Sequence, residues 1–337
     1  MKRLASLLDY LKHHRDATLL GAAAALLLVA LLRPTVEMRR DIYSYMLVVD
    51  ITQSMNVVDM KVDGKPASRL QYTKRLLRDT VSNLPCGTRV SIAMFAGAST
   101  ALLYSPVEVC ANYDVIQDTI AHLEWRMAWS GNSRLRQGAV AIAHQVRTMR
   151  EPAQVVFFTD GEEAPRLHAF NTLDLAGFQG GKGWMVVGIG AEKDSPIPKF
   201  DEDNKLLGYW SAESMRMQPG IAQISQENIG ARNDEVAASD NDRQYSKLDE
   251  GYLKKYTGEL GAAYVRGDSL SAVQAGMNAL KPARHDMAPV ELNRWLAGIA
   301  ALLLLAAYLG QHPALLLQRL LRLRFKLPKQ DVRQSSS

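Results

Sequence analysis

Short apolar runs alternate with amphipathic segments along most of this chain. The runs Tyr43 to Val49 (YSYMLVV) and Gln154 to Thr159 (QVVFFT) are almost wholly apolar, which is typical of strands buried on both faces of a sheet. Ser68 to Leu84 places its apolar residues at helical spacing and opens with a serine that can cap a helix. Further strands are predicted at Arg89 to Phe95, Ala101 to Tyr104, Trp184 to Gly190 and Ala262 to Arg266, and further helices at Tyr113 to Leu123, Leu135 to Met149 and Leu248 to Leu260.

Buried strands that alternate with helices predict an α/β fold, doubly wound, with a mostly parallel sheet and helices on both faces. In such sheets, ligands bind outside the carboxyl ends of the strands. We therefore expect functional residues directly after Val49 and directly after Thr159.

The alternation of strands and helices lapses between residues 191 and 247. Pro196 to Trp210 predicts a β-hairpin with its turn at Asp203 and Asn204, and Gln226 to Asp242 is polar and predicts a loop. An insertion of this length in a compact domain is usually a binding or regulatory element. A surface decoration without function is the alternative.

Two apolar runs without charge, Ala17 to Leu32 and Trp295 to Leu309, flank the middle of the chain. Each is slightly shorter than the roughly 20 residues that span a bilayer, but the flanking Arg33 and Arg294 can reach the interface. They predict transmembrane helices over residues 17–33 and 293–312. The first run resembles the core of a signal peptide as well, but no A-x-A cleavage site follows it, which favours an uncleaved anchor.

Charge indicates how the chain is oriented. The formal net charge is +5, yet the tail at 313–337 carries most of the excess and the middle of the chain is slightly acidic. This distribution argues against a nucleic-acid-binding face. The basic tail is expected in the cytoplasm. With two spans, residues 1–16 then lie in the cytoplasm too, and residues 34–292 form a domain in the periplasm of a bacterium. Contact of the tail with inner-membrane lipid is also expected.

The two cysteines, Cys86 and Cys110, both fall in the region predicted to be exported. An oxidising compartment permits a disulfide between them, and two buried thiols are the alternative. Their spacing is not that of a metal site.

Oxygen-bearing side chains are concentrated in three loops. Asp50, Thr52 and Ser54 follow the first predicted strand, Asp160 and Gly161 follow QVVFFT, and Ser130-Gly131-Asn132-Ser133 precedes a helix. A hard cation such as Mg²⁺ prefers oxygen ligands and keeps some of its water. Hydroxyls at alternate positions beside two carboxylates suit that chemistry.

At these residues the chain resembles the von Willebrand factor A (VWA) domain and its metal-ion-dependent adhesion site, over about residues 43 to 270. The resemblance implies that Asp50, Thr52, Ser54, Ser133 and Asp160 hold one divalent cation, Mg²⁺ before Mn²⁺ or Ca²⁺. Thr52 replaces the usual serine and keeps its hydroxyl, and Ser133 replaces the usual threonine; nearby Ser130 is the less favoured candidate for that position. The resemblance also implies that a coordination position stays open for an acidic residue of a protein partner.

One VWA domain between two spans resembles the Bat-type proteins and the MxaL- and MxaC-like proteins of methanol-oxidation gene clusters, which are associated with MoxR-type AAA+ ATPases. The implied function is assembly, maturation or metal insertion for a periplasmic enzyme such as a methanol-type dehydrogenase. A Bat-type stress or aerotolerance complex, with other VWA membrane proteins as partners, is the alternative.

Catalysis has less support in the sequence. The chain contains neither an H-E-x-x-H motif nor a G-x-S-x-G nucleophile elbow, and the glycine cluster around Lys182 lacks the pattern of a P-loop. A hydrolase that uses the metal site is the alternative from another class, and we expect a non-catalytic binding protein.

Overall fold

The computed structural model describes residues 15–167, 172–178, 180–201, 203–211 and 244–311. It divides into two compact units. The larger comprises Asp41–His285, and the smaller comprises Met1–Arg40 with Asp286–Ser337.

A seven-stranded sheet forms the centre of the larger unit. Its strand order is β14-β9-β8-β2-β5-β6, and β7 also pairs with β5. Pairing is parallel from β14 through β5, and only β6 and β7 run antiparallel to their neighbour β5. The predicted α/β fold with a mostly parallel sheet is therefore confirmed. The strands are β2 (Ser44–Asp50), β5 (Arg89–Ala96), β6 (Ser99–Leu102), β7 (Val107–Glu108), β8 (Gln154–Thr159), β9 (Trp184–Gly188) and β14 (Ala263–Arg266).

Helices cover both faces of this sheet because each buried strand sends alternate side chains to opposite sides. In β2, Leu47 and Val49 face one core, which α2, α3 and α6 help to form. Met46 and Val48 face the other, which includes α4 and α5. These helices are α2 (Arg69–Ser82), α3 (Tyr113–Ala121), α4 (Leu135–Thr148), α5 (Glu250–Leu260) and α6 (Leu270–Ala279). Helix α6 was not predicted.

Small antiparallel pairs decorate the larger unit. The predicted hairpin is present, with β11 paired to β12 and Asn204 at positive φ in its turn. Two further pairs, β3 with β4 and β10 with β13, were not predicted. The predicted loop at Gln226 to Asp242 lies outside the described residues. The strands are β3 (Met60–Val62), β4 (Lys65–Ala67), β10 (Ser195–Pro196), β11 (Pro198–Phe200), β12 (Leu206–Tyr209) and β13 (Tyr245–Ser246).

One predicted strand is displaced along the chain. We expected Ala101 to Tyr104, whereas β6 spans Ser99–Leu102. The reason is the turn before it, where Gly97 adopts a φ of +62° and lets β6 pair with β5 from the Ala96–Ser99 position onward. Polar Ser99 and Thr100 belong to the strand because it lies at the edge of the sheet.

The smaller unit contains two helices that pack against each other, α1 (Arg15–Leu31) and α7 (Asn293–Gln311). Strands β1 (Thr35–Ile42) and β15 (Arg284–Glu291) pair as well. Neither strand was predicted, because both are rich in charged residues. Among the described residues, no helix combines the length and apolar character needed to cross a membrane. The two transmembrane helices stay a prediction.

Cys86 and Cys110 form a disulfide, with Cα atoms 5.3 Å apart. Both residues are exposed, so the alternative of two buried thiols is wrong. The bond lies near the amino end of β5, which begins at Arg89.

Candidate metal centre

Asp50 is the last residue of β2 and is fully buried. It lies where the parallel strands have their carboxyl ends, which we call the carboxyl edge of the sheet; the opposite ends form the amino edge. Its Oδ1 accepts hydrogen bonds from the backbone N–H of Thr52 at 3.0 Å and from the Thr52 hydroxyl at 2.6 Å. Its Oδ2 accepts from the Thr159 hydroxyl at 2.7 Å. Ser54 continues the same loop, with its hydroxyl oxygen 3.5 Å from that of Thr52. The first predicted loop thus brings Asp50, Thr52 and Ser54 together.

Asp160 follows β8, the strand next to β2, and is also fully buried. Its Oδ1 accepts from the backbone N–H of Glu162 at 3.0 Å, and its Oδ2 accepts from Arg69 Nη1 at 2.7 Å. The parallel pairing of β2 with β8 places Asp50 and Asp160 at the same edge of the sheet. The two acids are close enough that the charge of Asp160 raises the pKa of Asp50.

Ser133 lies in the third loop, which backbone hydrogen bonds connect to the other two. Gln53 N–H donates to the Gly131 carbonyl at 3.2 Å, which links the first loop to the third. Ala164 N–H donates to the Ser133 carbonyl at 2.8 Å, which links the Asp160 loop to it as well. Hydrogen bonds between Gly97 and the Asn132 and Arg134 backbone fix the third loop to the β5–β6 turn. The structure therefore gathers the loops of all five predicted residues at one edge of the sheet.

Several buried oxygen atoms around these loops have no hydrogen-bond partner within the described part of the chain. They are Ser133 Oγ, Asn132 Oδ1, Gln53 Oε1 and Glu162 Oε2. Ser133 is only 2% exposed, so its hydroxyl has no access to bulk solvent. Ser130, the less favoured candidate, instead accepts a long hydrogen bond of 3.4 Å from Asn132 N–H. Buried oxygens without donors are costly to leave unsatisfied.

Acidic side chains concentrate negative charge at this edge. Burial raises the pKa of Asp50 to about 7, and the negative charge of Asp160 adds to the rise. Hydrogen bonds from Thr52 and Thr159 oppose it because they stabilise the carboxylate. Burial, and again Asp160, raise the pKa of Glu162 to about 7. Burial also raises the pKa of Glu163 to about 7. Each shift means that the ionised carboxylate lacks stabilisation in the protein alone.

Three residues of this edge were missed from sequence. Arg69 and Asp59 form a buried ion pair at 2.7 Å, and Arg69 also contacts Asp160. In the sequence, Arg69 occupies the first turn of an amphipathic helix, where arginine is ordinarily exposed, so no pattern indicated its burial. Glu162 was signalled only by its place two residues after Asp160.

A cavity of about 1080 Å³ lies beside the Asp160 loop. Residues 161–167 form one wall, and residues 244–247 contribute another. Glu162 and Glu163 line it on the side of the three loops. Its lining includes Asn132 and Gly161, which are neighbours of Ser133 and Asp160 in sequence, but none of the five predicted metal-site residues.

Comparisons with known proteins identify a similarity over the region that carries these loops. Residues 45–163 match a family model described as the von Willebrand factor type A domain. That stretch contains all five predicted metal-site residues and the strands β2, β5 and β8 that position them. No curated protein matches the chain.

Among solved structures, the chain is similar to an aerotolerance-related membrane protein from Bacteroides fragilis, with 19% identity over 70% of this chain and 96% of that one, and a TM-score of 0.47. It is also similar to the conserved hypothetical protein BatB from Bacteroides thetaiotaomicron, with 17% identity over 70% of this chain and 97% of that one, and a TM-score of 0.48. Over residues 45–163, which carry the three loops, this chain is therefore similar to the von Willebrand factor type A domain.

Proposed function

We propose that this domain binds one divalent cation through Asp50, Thr52, Ser54, Ser133 and Asp160. The observation that carries the proposal is the Ser133 hydroxyl, which is buried without a hydrogen-bond partner among the described residues, in a loop that backbone hydrogen bonds connect to the loops of Asp50 and Asp160. A cation would satisfy that oxygen and compensate the acidic charge at once. It would supply a positively charged centre that a carboxylate can bind.

Mg²⁺ fits this set of donors best among common cations. The donors are carboxylate and hydroxyl oxygens, without a histidine or cysteine, which favours a hard cation. Mg²⁺ keeps several waters when a protein supplies few carboxylates, whereas Ca²⁺ takes more ligands. Mn²⁺ accepts oxygen ligands as well, so it can serve as a spectroscopic probe of the same site.

Calorimetric titration of Mg²⁺ into the purified full-length chain tests the proposal. We expect one ion per chain, a loss of binding in Asp50→Asn, and unchanged binding in the matched control Ser130→Ala. Asn preserves the shape of Asp50 while removing its charge, so a folded variant without binding isolates the role of the carboxylate. Equal binding by wild type and Asp50→Asn, or no binding by wild type, would overturn the metal site.

We further propose that the bound cation serves as the docking point for an acidic residue of a protein partner. VWA domains generally act as non-catalytic interaction modules, which supports binding over turnover. The cavity beside Asp160 offers space for such a residue. In cells, a photo-crosslinking amino acid at exposed Met127 is expected to capture a partner in wild type and not in Asp50→Asn. Crosslinking that persists in folded Asp50→Asn would contradict metal-dependent docking.

For localisation, we propose that α1 and α7 anchor the chain in the inner membrane, with the VWA domain in the periplasm. Both helices expose large apolar side chains, such as Leu28 and Leu31 on α1 and Leu302 on α7. The basic residues after 313 support a cytoplasmic carboxyl terminus. Extraction of cell membranes with carbonate tests anchoring and should leave the chain in the pellet. Labelling with a thiol-reactive reagent that cannot cross the membrane tests orientation. It should label a cysteine placed at Val115 but not one placed at Ser335. Release by carbonate would contradict anchoring.

As the biological process, we propose assembly or maturation of a periplasmic enzyme such as a methanol-type dehydrogenase. A Bat-type stress complex that works with a MoxR-type ATPase is the alternative. Deleting the gene separates them. The first proposal predicts an inactive or metal-poor periplasmic dehydrogenase in otherwise healthy cells, and the second predicts sensitivity to oxygen with the dehydrogenase intact.

A further inference from the structure

Arg69 is the most unusual charged residue in the larger unit because its side chain is 0% exposed and fully hydrogen-bonded. A guanidinium has five N–H donors, and the structure provides acceptors for all of them. Nε and Nη2 donate to Asp59, Nη1 donates to Asp160 Oδ2 and to the Ser246 hydroxyl, and Nη2 also donates to the Ser246 carbonyl. We call Asp59, Arg69, Asp160 and Ser246 the Arg69 cluster.

The Arg69 cluster also fixes both ends of the 191–247 insertion. At its start, Ala191 N–H donates to Asp59 Oδ2 at 3.1 Å. At its end, Ser246 accepts a hydrogen bond from Arg69 through its hydroxyl at 2.8 Å and another through its carbonyl. Leu248 N–H then donates to the Ala191 carbonyl at 2.9 Å, which closes the base of the insertion.

A second connection runs directly from the base of the insertion to the proposed metal site. Asp249 N–H donates to the backbone carbonyl of Asp160 at 3.0 Å. Asp160 is therefore held at its carboxylate by Arg69 and at its carbonyl by Asp249, two residues after the end of the insertion.

The backbone before the insertion is shaped to fit the arginine. Gly190 has a φ of +130°, and a Cβ atom there would lie 2.8 Å from Arg69 Nε. No other residue type would allow this approach without displacing the guanidinium. The close fit means that a change in the position of Arg69 is transmitted to residues 190 and 191 rather than absorbed by loose packing.

We propose that Arg69 is a positioning residue that couples the cation site to the insertion. The inference rests on the proposed function, because it assumes a cation at Asp160. A cation and Arg69 would share the same carboxylate, so binding the cation changes how strongly Asp160 holds Arg69. Arg69 in turn holds Ser246 and, through Asp59, Ala191.

Coupling of this kind is reciprocal, so a partner that changes the conformation of the insertion would change the affinity of the domain for the cation by the same factor. The insertion is thereby assigned a regulatory role rather than a decorative one. Lysine cannot replace arginine in this role. Its single ammonium group lacks the planar arrangement of donors with which the guanidinium reaches Asp59, Asp160 and Ser246 at once.

Hydrogen exchange measured by mass spectrometry on the purified full-length chain tests the coupling. The reporter amides are those of Ala191, which donates to Asp59, and Leu248, which donates to the Ala191 carbonyl. Saturating Mg²⁺ is expected to slow their exchange by about fivefold or more, the lower range of allosteric coupling. The amide of Val109, which donates to the Thr88 carbonyl at the opposite edge of the sheet, should not change.

Arg69→Lys is the decisive variant. It keeps the charge beside Asp160, so it should still bind Mg²⁺, while the slowing at the two reporter amides should disappear. Arg89→Lys is the matched control, because Arg89 also pairs with a carboxylate and a carbonyl but lies at the amino end of β5. It should preserve the full effect.

Ser246→Ala keeps the test decisive if Arg69→Lys does not fold. It removes one hydrogen bond from the Arg69 cluster and should weaken the effect of Mg²⁺ on the reporter amides. The coupling is wrong, and the proposed function survives, if wild type binds Mg²⁺ without slowing these amides or if both variants respond as wild type does. If wild type binds no cation, the proposed function and the coupling both fall.

Discussion

The two edges of the central sheet differ in how well they stabilise their carboxylates. At the amino edge, Glu108 accepts backbone hydrogen bonds from Gly87 at 2.7 Å and Ala111 at 2.6 Å, next to the disulfide. Slight burial opposes them, yet these backbone donors lower the pKa of Glu108. At the carboxyl edge, Asp50 and Glu162 have pKa values raised to about 7, and Ser133 Oγ has no partner among the described residues.

This difference separates stability from function. At the amino edge, the protein's own backbone donors stabilise the Glu108 carboxylate beside a disulfide, so this part of the sheet contributes to the stability of the fold. The carboxyl edge leaves acceptors that an external cation can satisfy, which costs stability until a ligand binds. Variants at each edge should therefore change different measured quantities.

The largest expected change in stability comes from the amino edge. Replacing Cys86 and Cys110 together by serine should lower the free energy of unfolding by about 3 kcal/mol, because a loop of this length is no longer closed in the unfolded chain. Urea denaturation of the full-length chain measures the loss. Mg²⁺ affinity in the folded variant should stay unchanged, and a large fall in affinity would show that the two edges are not separable.

A backbone substitution at the carboxyl edge should have the next largest effect. Gly190→Ala is expected to cost about 1 to 3 kcal/mol from its backbone conformation and to weaken Mg²⁺ binding by displacing Arg69. Gly261→Ala is the control, with a φ of +70° but open space around its added Cβ. It should cost roughly 1 kcal/mol and leave Mg²⁺ affinity unchanged. Equal effects of both variants on affinity would contradict the role of the Arg69 contact.

Removing the unpartnered hydroxyl should affect binding rather than folding. Ser133→Ala is expected to reduce Mg²⁺ affinity by about tenfold, which corresponds to roughly 1.4 kcal/mol, by analogy with other groups that support metal sites. Its free energy of unfolding without metal should be equal to or slightly above that of wild type, because a buried oxygen without a donor is lost. Calorimetry measures the Mg²⁺ affinity, and urea denaturation measures the free energy of unfolding. A clear loss of stability with unchanged affinity would reverse the assignment of this residue.

A further prediction concerns pH. Burial raises the pKa of Glu163 from its ordinary 4.5 to about 7, so the folded state holds a proton between these values that the unfolded state releases. The contribution of Glu163 to stability therefore falls as pH rises from about 4.5 to 7. Glu163→Gln keeps an acceptor for Leu135 N–H and should gain stability relative to wild type between pH 5 and pH 8. Urea denaturation at both values checks the sign, and a relative loss at pH 8 would contradict it.

The sequence predicted those parts of the fold that follow from regular burial. Strand β8 spans Gln154–Thr159 as expected, and α2 begins after the Ser68 cap, because apolar spacing and capping are local properties. Strands β1 and β15 were not predicted, because charged residues interrupt them and their pairing depends on residues far apart in sequence. The β3–β4 hairpin has the local turn signal Asp63-Gly64, but its strands are only three residues long and show no strand periodicity.

The candidate site was predictable only in part, for a related reason. Asp50, Thr52, Ser54 and Asp160 directly follow two buried strands, so the parallel sheet brings them to one edge. Arg69 and Ser246 are 177 positions apart and meet only through tertiary structure. Their residue types and spacing carry no local signal, and the burial of Arg69 follows from partners that no pattern in its own helix reveals.

Electron paramagnetic resonance of Mn²⁺ tests the central claim most directly, because the sharp signal of the free ion broadens when the ion binds. Titrated into the full-length wild-type chain, Mn²⁺ should show one bound ion per chain that Mg²⁺ displaces, and Asp160→Asn should abolish that binding while remaining folded. A signal that stays free in wild type, or bound Mn²⁺ that is unaffected in Asp160→Asn, would contradict a cation site at the carboxyl edge of the sheet.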